Sequence, residues 1–366
     1  MKQELQSENR ESVTKQDIRS MSLAELSERF AAMGEKPFRA KQVYSWLHEK
    51  RVKSFEEMTN LSRALRERLS EDYVLTVLEP VEILESKIDS TKKFLFRLAD
   101  GNVIESVWME YHHGNSVCIS SQVGCRMGCR FCASTLNGMV RGLTAAEMLE
   151  QVYRMQEITG KRISNVVIMG SGEPLDNYEN FVRFVRLVTD EKGFDLSARN
   201  ITISTCGLPD QIRRLAEEGL PITLALSLHA TNDEKRRELM PIANKYSLKE
   251  VLPACDYYFE KTGRRLSFEY SLVGGVNDTK EEAKALAALL GHRNCHVNLI
   301  SVNPIKERNF VRSGQNTILE FKNILEKSGI NATIRREMGR DISGSCGQLR
   351  RSYMEKEADH TDSFGR

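Results

Sequence analysis

Three cysteines near the middle of the chain stand close enough together to bind one inorganic centre. They are Cys125, Cys129 and Cys132, in the run Cys-Arg-Met-Gly-Cys-Arg-Phe-Cys. Thiolate-rich sites select iron–sulfur clusters, zinc or Cu(I). Three cysteines on a four-iron cluster leave one iron open to a chelating small molecule. A structural zinc would instead need a fourth ligand, for which Cys118 or a histidine of the pair His112-His113 is available. Coincidental spacing is the third alternative.

The spacing Cys-x3-Cys-x2-Cys resembles the signature of the radical S-adenosylmethionine (SAM) enzymes. In that family, the amino and carboxylate groups of SAM chelate the open iron of a [4Fe–4S] cluster. An electron from the reduced cluster then splits the sulfonium and gives a 5′-deoxyadenosyl radical. Because SAM is hard to reduce, a cluster that can reach very negative potentials suits this task. The resemblance therefore implies a [4Fe–4S] cluster and SAM as cofactors.

Length, composition and charge exclude several broad classes of protein. The 366 residues are 40% hydrophobic and 28% charged, enough for one large core and a smaller domain. No apolar run approaches a membrane span, and the polar stretch 1–20 is not a signal peptide. Eight cysteines, four of them within Cys118–Cys132, do not form a secreted disulfide framework, so we expect a cytoplasmic protein. A net charge of +2 is too small to indicate nucleic-acid binding by itself.

The N-terminal segment 1–75 is predicted to be a small helical domain. Ser22 and Glu25 form a capping box for a helix that ends near Gly34. A second helix follows Pro37, and a third runs from about 62 to 71. The apolar members of the second helix are Phe38, Val43, Tyr44, Trp46 and Leu47, and the basic residues outside that stripe are Arg39, Lys41, Lys50, Arg51 and Lys53. This basic face favours RNA docking, with an ordinary solvated surface as the alternative.

Segment 76–111 is predicted to be a β-hairpin linker. The apolar period changes here to about two residues, and Asp100-Gly101 is a turn signal. On the second strand, Glu105 shares a face with Val103, Val107 and Met109. Glu105 is then either an edge-strand glutamate in water or a desolvated catalytic carboxylate.

Segment 112–349 is predicted to be an α/β domain, followed by a mobile tail, 350–366. Predicted strands are 117–120, 163–169, 200–205, 222–228, 265–272 and 297–302, with a possible further strand at 330–336. Predicted helices lie near 145–159, 178–189, 209–218, 248–261, 280–290 and 315–328. Six βα units with right-handed crossovers build a curved parallel sheet with its helices outside. This pattern is similar to the partial (β/α)6 barrel of radical SAM enzymes.

Polar residues recur where the predicted strands end. Barrel enzymes place their sites at the carboxyl ends of strands. The strand-end candidates are Cys118, Gly172, Glu173, Ser204, Ser227, Leu228, His229 and Asn303. Individually, His229 could be a satisfied core histidine and Asn303 a turn former before Pro304. Their shared position is the reason to expect a common cavity.

Two further segments carry residues with possible chemistry. Gly170-Ser-Gly-Glu-Pro174 resembles the motif that binds the SAM amino group, because glycines admit a ligand and Glu173 can accept from an ammonium. An ordinary strand-to-helix turn is the alternative. Cys346 lies between glycines in a segment that suggests a mobile loop, with a loop cysteine of no role as the alternative. Cys206, Cys255 and Cys295 fit small buried hydrophobic positions.

Taken together, these motifs resemble the adenine-C2 RNA methyltransferase family (RlmN), over nearly the whole chain. The segments that carry the resemblance are Gln122–Cys132, Met169–Pro174, Ile203–Thr205, Ser227–His229, Met240–Ile242, His296–Ile300 and Cys346–Leu349. The sequence departs slightly from the family at Cys132-Ala-Ser-Thr135 and at Ser171, which affects subfamily placement only. The resemblance implies methylation of adenine C2 in 23S rRNA, near the peptidyl transferase centre, and in tRNA, at the adenosine 3′ of the anticodon.

The resemblance also implies a mechanism that uses two SAM molecules per turnover. The first methylates Cys346, and the second gives the radical that takes hydrogen from the S-methyl group. The methylene radical adds to C2, Cys118 then attacks Cys346 to release the product, and Glu105 matches a proposed proton acceptor. Gly172, Glu173, Ser204, Ser227, Leu228, His229 and Asn303 match the SAM contacts.

Two rival functions remain open at this stage. The first is the related C8-methylating resistance enzyme (Cfr), which shares the cluster and both cysteines. The second is a zinc-stabilised RNA-binding protein without catalysis. The family implies 23S rRNA and tRNA as partners and an electron donor such as flavodoxin or ferredoxin. We expect a monomer that does not bind a membrane.

Overall fold

The structure is a computed structural model, and it describes residues 15–303, 309–342 and 344. The chain divides into two compact units, Met1–Val77 and Leu78–Arg366. The predicted tail, 350–366, lies outside the described residues. Within the described ranges, no helix combines the length and apolar character needed to cross a membrane.

The first unit contains the three predicted helices. Its elements are β1 (Gln16–Asp17), α1 (Leu23–Ala32), α2 (Pro37–His48), α3 (Arg63–Asp72) and β2 (Tyr73–Val74). The capping box of α1 is present: Ser22 accepts from the backbone of Glu25, whose side chain accepts from the backbone of Ser22. Pro37 occupies the first turn of α2, where its missing N–H costs nothing. Phe38 is 46% exposed, so its predicted place in the apolar stripe of α2 was wrong.

The second unit is built on a ten-stranded sheet. Its strands are β3 (Glu79–Glu85), β4 (Lys92–Arg97), β5 (Val103–Tyr111), β6 (Gly114–Cys118), β9 (Ile163–Ile168), β10 (Ile201–Thr205), β11 (Thr223–Ser227), β12 (Leu266–Leu272), β13 (Cys295–Ser301) and β14 (Asn331–Ile334). The spatial order is β14-β13-β12-β11-β10-β9-β6-β5-β4-β3. Strands from β14 to β6 pair in parallel, and β5, β4 and β3 continue the sheet antiparallel. The predicted hairpin is thus an extension of the barrel sheet.

Helices alternate with the parallel strands, as the sequence predicts for a partial (β/α)6 barrel. They are α4 (Ala145–Thr159), α5 (Tyr178–Val188), α6 (Pro209–Glu217), α7 (Asp233–Leu239), α8 (Leu248–Thr262), α9 (Lys280–Leu290) and α10 (Gln315–Lys327). Every residue of β12 is buried, as expected for a parallel strand covered on both faces. The fold class is therefore confirmed. Neither α7 nor the small pair β7 (Gln122–Gly124) and β8 (Met139–Gly142) was predicted.

Candidate active site

A cavity of about 440 Å³ lies in the second unit, where the carboxyl ends of the parallel strands meet. The predicted residues that line it are Glu105, Cys118, Cys125, Cys129, Cys132, Gly172, Glu173, Ser204, Ser227, His229 and Asn303. Leu228 is fully buried and does not line the cavity. Its backbone N–H instead donates to the carbonyl of Glu269, and its carbonyl accepts from Nε of Arg236. Cys346 lies outside the described residues.

The cysteine loop begins directly after β7 and is anchored by its backbone. Cys125 donates its N–H to the Gly138 carbonyl at 3.0 Å, next to β8. Gly128 adopts a positive φ of 74° and packs against Pro241. Cys129 and Cys125 also pack in an apolar cluster with Met240. The loop is therefore held from both sides while its three thiols line the cavity.

The three thiols share one electrostatic environment. Burial raises the pKa of Cys125 to about 12, and the charges of Cys132 and Glu173 oppose its ionisation further. Burial also raises the pKa of Cys129, followed by the effects of Cys132 and Cys125. Such thiols stay protonated until a metal displaces the proton, which is how cysteine ligands couple to metal binding. This donor set fits an iron–sulfur cluster.

In the parts of the chain that the structure describes, no three Cys, His, Asp or Glu side chains stand in metal-coordinating geometry. Each cysteine has one side-chain torsion, which places its sulfur in one of three staggered positions.

The loop after β9 brings Glu173 into the cavity. Gly172 has a φ of +106°, and a Cβ added there would lie 2.6 Å from Cβ of Gln122, so only glycine fits. The Glu173 carboxylate accepts from the backbone N–H of Leu175 at 3.0 Å and of Cys206 at 2.7 Å. Desolvation raises the pKa of Glu173. Hydrogen bonds from the backbone and from the side chains of Cys206 and Thr205 oppose that rise.

His229 is fixed in an unusual backbone conformation after β11. Its φ is +55°, a left-handed value that non-glycine residues rarely adopt and that marks functional sites when the surroundings enforce it. Its Nδ1 accepts from the Ser271 N–H at 2.9 Å, and its carbonyl accepts from Asn277. The Phe131 ring lies edge-on to it at 4.7 Å. Burial lowers the pKa of His229 to about 3, so the imidazole is neutral.

Glu105 is buried, which excludes the edge-strand alternative in water. It is 6% exposed, and its Oε2 lies 3.0 Å from Nζ of Lys93, whose side chain is fully buried. The Glu105 carbonyl accepts from Ser120 Oγ, which in turn accepts from the Ser171 N–H. The hairpin, the first barrel strand and the loop before Glu173 are thus linked by hydrogen bonds.

Three buried ionisable residues near the cavity were missed at the sequence level: Lys93, Arg236 and Glu269. Arg236 is fully buried on α7 and donates to the carbonyls of Cys206 and Leu228. Glu269 lies in the middle of β12 and lines the cavity. For Glu269 the available signal was a charge inside a predicted apolar strand, because a buried charge needs a specific partner. Lys93 and Arg236 carried no such local signal.

Comparisons with known proteins agree with this geometry. Residues 16–75 match the model of the ribosomal RNA large subunit methyltransferase N-terminal domain, and 119–290 match the radical SAM superfamily. A probable dual-specificity RNA methyltransferase RlmN from Lachnoclostridium phytofermentans is 62% identical over 93% of this chain and 96% of its own length. A relative with the same description from Clostridium perfringens is 55% identical, over 92% and 97%. The crystal structure of a radical SAM methyltransferase from Sphaerobacter thermophilus matches with a TM-score of 0.86 and 43% identity, over 91% of this chain and 98% of that one.

Proposed function

The chain belongs to the RlmN family of radical SAM RNA methyltransferases, and from this premise we propose that it methylates C2 of adenine. The proposed substrates are 23S rRNA, near the peptidyl transferase centre, and tRNA, at the adenosine 3′ of the anticodon. The cofactors of the family are a [4Fe–4S] cluster and SAM. C2 of adenine is an electron-poor carbon that cannot attack a methyl sulfonium, and the cluster with SAM supplies the carbon-radical chemistry that it requires.

One observation carries the proposal: the three motif cysteines, Cys118 and the buried Glu105 all line a single cavity. We assign Cys125, Cys129 and Cys132 to cluster binding, since their thiols share the cavity wall. We assign SAM binding to the strand-end groups opposite them, namely Gly172, Glu173, Ser204, Ser227, His229 and Asn303, and to the backbone of Leu228. Polar atoms from different strands that converge on one cavity can orient a polar cofactor.

The methyl group is proposed to travel on Cys346 as a thioether. Gly344, two residues earlier in the chain, lines the same cavity as Cys118, and this supports the proposal that the Cys346 sulfur reaches it. After the carbon adds to C2, the adduct radical gives up one electron, for which the bound cluster would be the acceptor, and Glu105 accepts the proton that leaves C2. The Cys118 thiolate then attacks the Cys346 sulfur, the bond between that sulfur and the product carbon breaks, and this carbon takes up a proton to become the methyl group. A Cys118–Cys346 disulfide remains. A thiol reductant must reduce this disulfide before the next turnover.

The decisive experiment is anaerobic reconstitution with iron, sulfide, SAM and substrate RNA. Digestion of the RNA should yield 2-methyladenine, together with 5′-deoxyadenosine from SAM. Detection of 8-methyladenine alone would favour the C8 rival, and a zinc-loaded protein without iron would favour the non-catalytic one. Cys346→Ala should abolish methyl transfer, whereas Cys118→Ala should accumulate a covalent protein–RNA adduct. Normal turnover by either variant would refute the role of that cysteine.

The first unit is proposed to dock RNA. Arg39 lies 4.9 Å from the centroid of the exposed Phe38 ring, and Lys50 Nζ lies 3.6 Å from that of Trp46. Paired cations and aromatic faces suit phosphates and unstacked bases. Arg39→Gln with Lys50→Gln should weaken RNA binding and flatten its salt dependence, whereas Arg63→Gln, at an exposed ion pair in the same unit, should not. Equal RNA affinities of the wild-type protein, the double variant and the Arg63→Gln control would refute the docking role.

The remaining features of the proposal concern the cellular setting. We propose a cytoplasmic location, because ribosomal and transfer RNA are the substrates. A monomer that receives electrons from a flavodoxin or a ferredoxin is the simplest assembly for this reaction. Reduction of the reconstituted protein by each carrier, followed by optical spectroscopy, tests the donor directly.

A further inference from the structure

One buried carboxylate in the cavity has an oxygen that accepts no hydrogen bond from the residues that the structure describes. Glu269, on β12, is 2% exposed and lines the cavity. Its Oε1 accepts from Asn298 Nδ2 at 2.8 Å, but its Oε2 has no hydrogen-bond partner among the described residues. Oε2 forms an ion pair with Nη1 of Arg335 at 3.8 Å, a distance that is too long for a hydrogen bond. A buried acceptor that lacks a donor is costly, so a ligand that supplies one would bind favourably.

The Glu269 carboxylate is held in a fixed orientation by its neighbours. Asn298 Oδ1 accepts from Thr333 Oγ1 at 3.0 Å, which turns the amide nitrogen of Asn298 toward Glu269. Thr333 Oγ1 also lies 2.9 Å from His296 Nε2. Oε2 is therefore positioned before any ligand arrives, and preorganised acceptors of this kind recognise ligands with little entropic cost.

Glu269 also belongs to a polar row that crosses three strands. In the parallel register, Ser227 on β11 pairs with Glu269 on β12. The Ser204 and Ser227 hydroxyls lie 3.2 Å apart, so β10 joins the same row. Ser204 and Ser227 are already assigned to SAM binding under the proposed function. The carboxylate thus continues a row whose other members face the cofactor.

We propose that Oε2 of Glu269 accepts a hydrogen bond from an adenosine, through a ribose hydroxyl or the exocyclic amine. The inference rests on the proposed function, in which two adenosines enter this cavity: that of SAM and the target nucleotide. Burial raises the pKa of Glu269, whereas Arg335 and Asn298 lower it. In its ionised form the carboxylate only accepts hydrogen bonds, whereas a serine hydroxyl can donate or accept. Glu269 therefore discriminates against ligands that lack a donor at this position, as sites built around a buried polar group do.

The test is Glu269→Gln, which keeps the size of the side chain and its acceptor for Asn298. The substitution puts an NH₂ donor where Oε2 stood, so a ligand donor there becomes repulsive. The dissociation constants of SAM and of an RNA hairpin with the target adenosine are measured on the cluster-loaded protein. One of them should rise about tenfold or more. A rise for SAM alone assigns its adenosine, and a rise for the hairpin alone assigns the target nucleotide.

A matched control is Glu282→Gln, which alters a buried glutamate bonded to Thr231 and Lys235 outside the cavity. Both constants should remain unchanged in this variant. Unchanged constants in Glu269→Gln, or equal losses for both ligands, overturn the inference.

Should Glu269→Gln fail to fold, the wild-type protein is tested with altered ligands. These are S-adenosylhomocysteine without its 2′-hydroxyl, 3′-hydroxyl or amine, and hairpins with purine in place of the target adenine. Loss of affinity for one of these analogues supports the inference, and equal binding of every analogue overturns it. Affinities are measured without turnover. A wild-type protein that makes no methyladenine would therefore refute the proposed function without deciding the role of Glu269.

Discussion

The buried pair Lys93–Glu105 offers a quantitative test of how the hairpin is stabilised. The two charged groups lie 3.0 Å apart, with side chains 0% and 7% exposed. At an effective dielectric constant of about 20, their Coulomb attraction is about 5.5 kcal/mol. Desolvation of both charges offsets most of this attraction. The pair as a whole therefore changes the free energy of unfolding little, whereas either charge without the other is strongly destabilising.

A double-mutant cycle separates these two effects. Lys93→Met or Glu105→Leu alone should lower the free energy of unfolding by about 3–5 kcal/mol, because each removes the opposite charge that the remaining buried group faces at 3.0 Å. The double variant should lie within about 1 kcal/mol of the parent. The exposed pair Lys92–Glu85, on the same hairpin strand and its neighbour, is the control, and its removal should cost at most about 1 kcal/mol.

Urea unfolding followed by tryptophan fluorescence provides the measurement. Trp108 is fully buried on β5, the strand that carries Glu105. A Trp46→Phe background leaves Trp108 as the single tryptophan, so the signal reports the second unit. Additive losses in the double variant would refute the coupling. A double variant that folds normally but does not methylate RNA would support the proposed role of Glu105 as proton acceptor.

Three further predictions address residues that line the cavity or support its wall. Gly172→Ala should lower SAM affinity and the melting temperature, whereas Gly219→Ala, with φ of +68° and open space for a Cβ, should cost only about 1 kcal/mol. As the pH falls below 6.5, the unfolded chain protonates His229 but the native state does not until about pH 3, so His229 should lower the unfolding free energy by about 1.4 kcal/mol for each unit of pH decrease. Burial lowers the pKa of His48 in the same way, so His229→Asn should reduce the slope by this amount, without abolishing it, in acid unfolding followed by Trp108 fluorescence. Arg236→Met should lower the iron bound after reconstitution, because its donor to the Cys206 carbonyl is lost; unchanged iron content would contradict this.

Local sequence signals predicted most of the fold because they depend on neighbours in the chain. The capping box of Ser22 and Glu25 needs only four consecutive residues to form, and it is present. The βα alternation after residue 112 is likewise set by apolar periodicity and by helix-forming runs. The resulting barrel topology follows from the right-handed crossover rule, with few alternatives.

Long-range pairing was harder to predict from the sequence. Strand β3 has polar and apolar residues without a clear period, and it forms because β4 supplies its hydrogen-bond partners. Lys93 occupies a position that pattern alone would place in solvent. Its burial depends on a diagonal neighbour, since Lys93 pairs with Val107 while Glu105 pairs with Leu95. Neither the pairing of β3 with β4 nor the diagonal contact of Lys93 is visible in the sequence of a single strand.

Glu269 shows where periodicity fails for a functional residue. All seven residues of β12 are buried, so alternation does not distinguish the face toward the helices from the face toward the cavity. The register with Ser227 and Asn298 makes that distinction, and register depends on the neighbouring strands. A charged residue in the middle of such a strand must be stabilised by a specific partner, because desolvation otherwise excludes it. In a parallel barrel, an ionisable residue inside a continuous apolar strand is therefore a site candidate on physical grounds, even when no motif includes it.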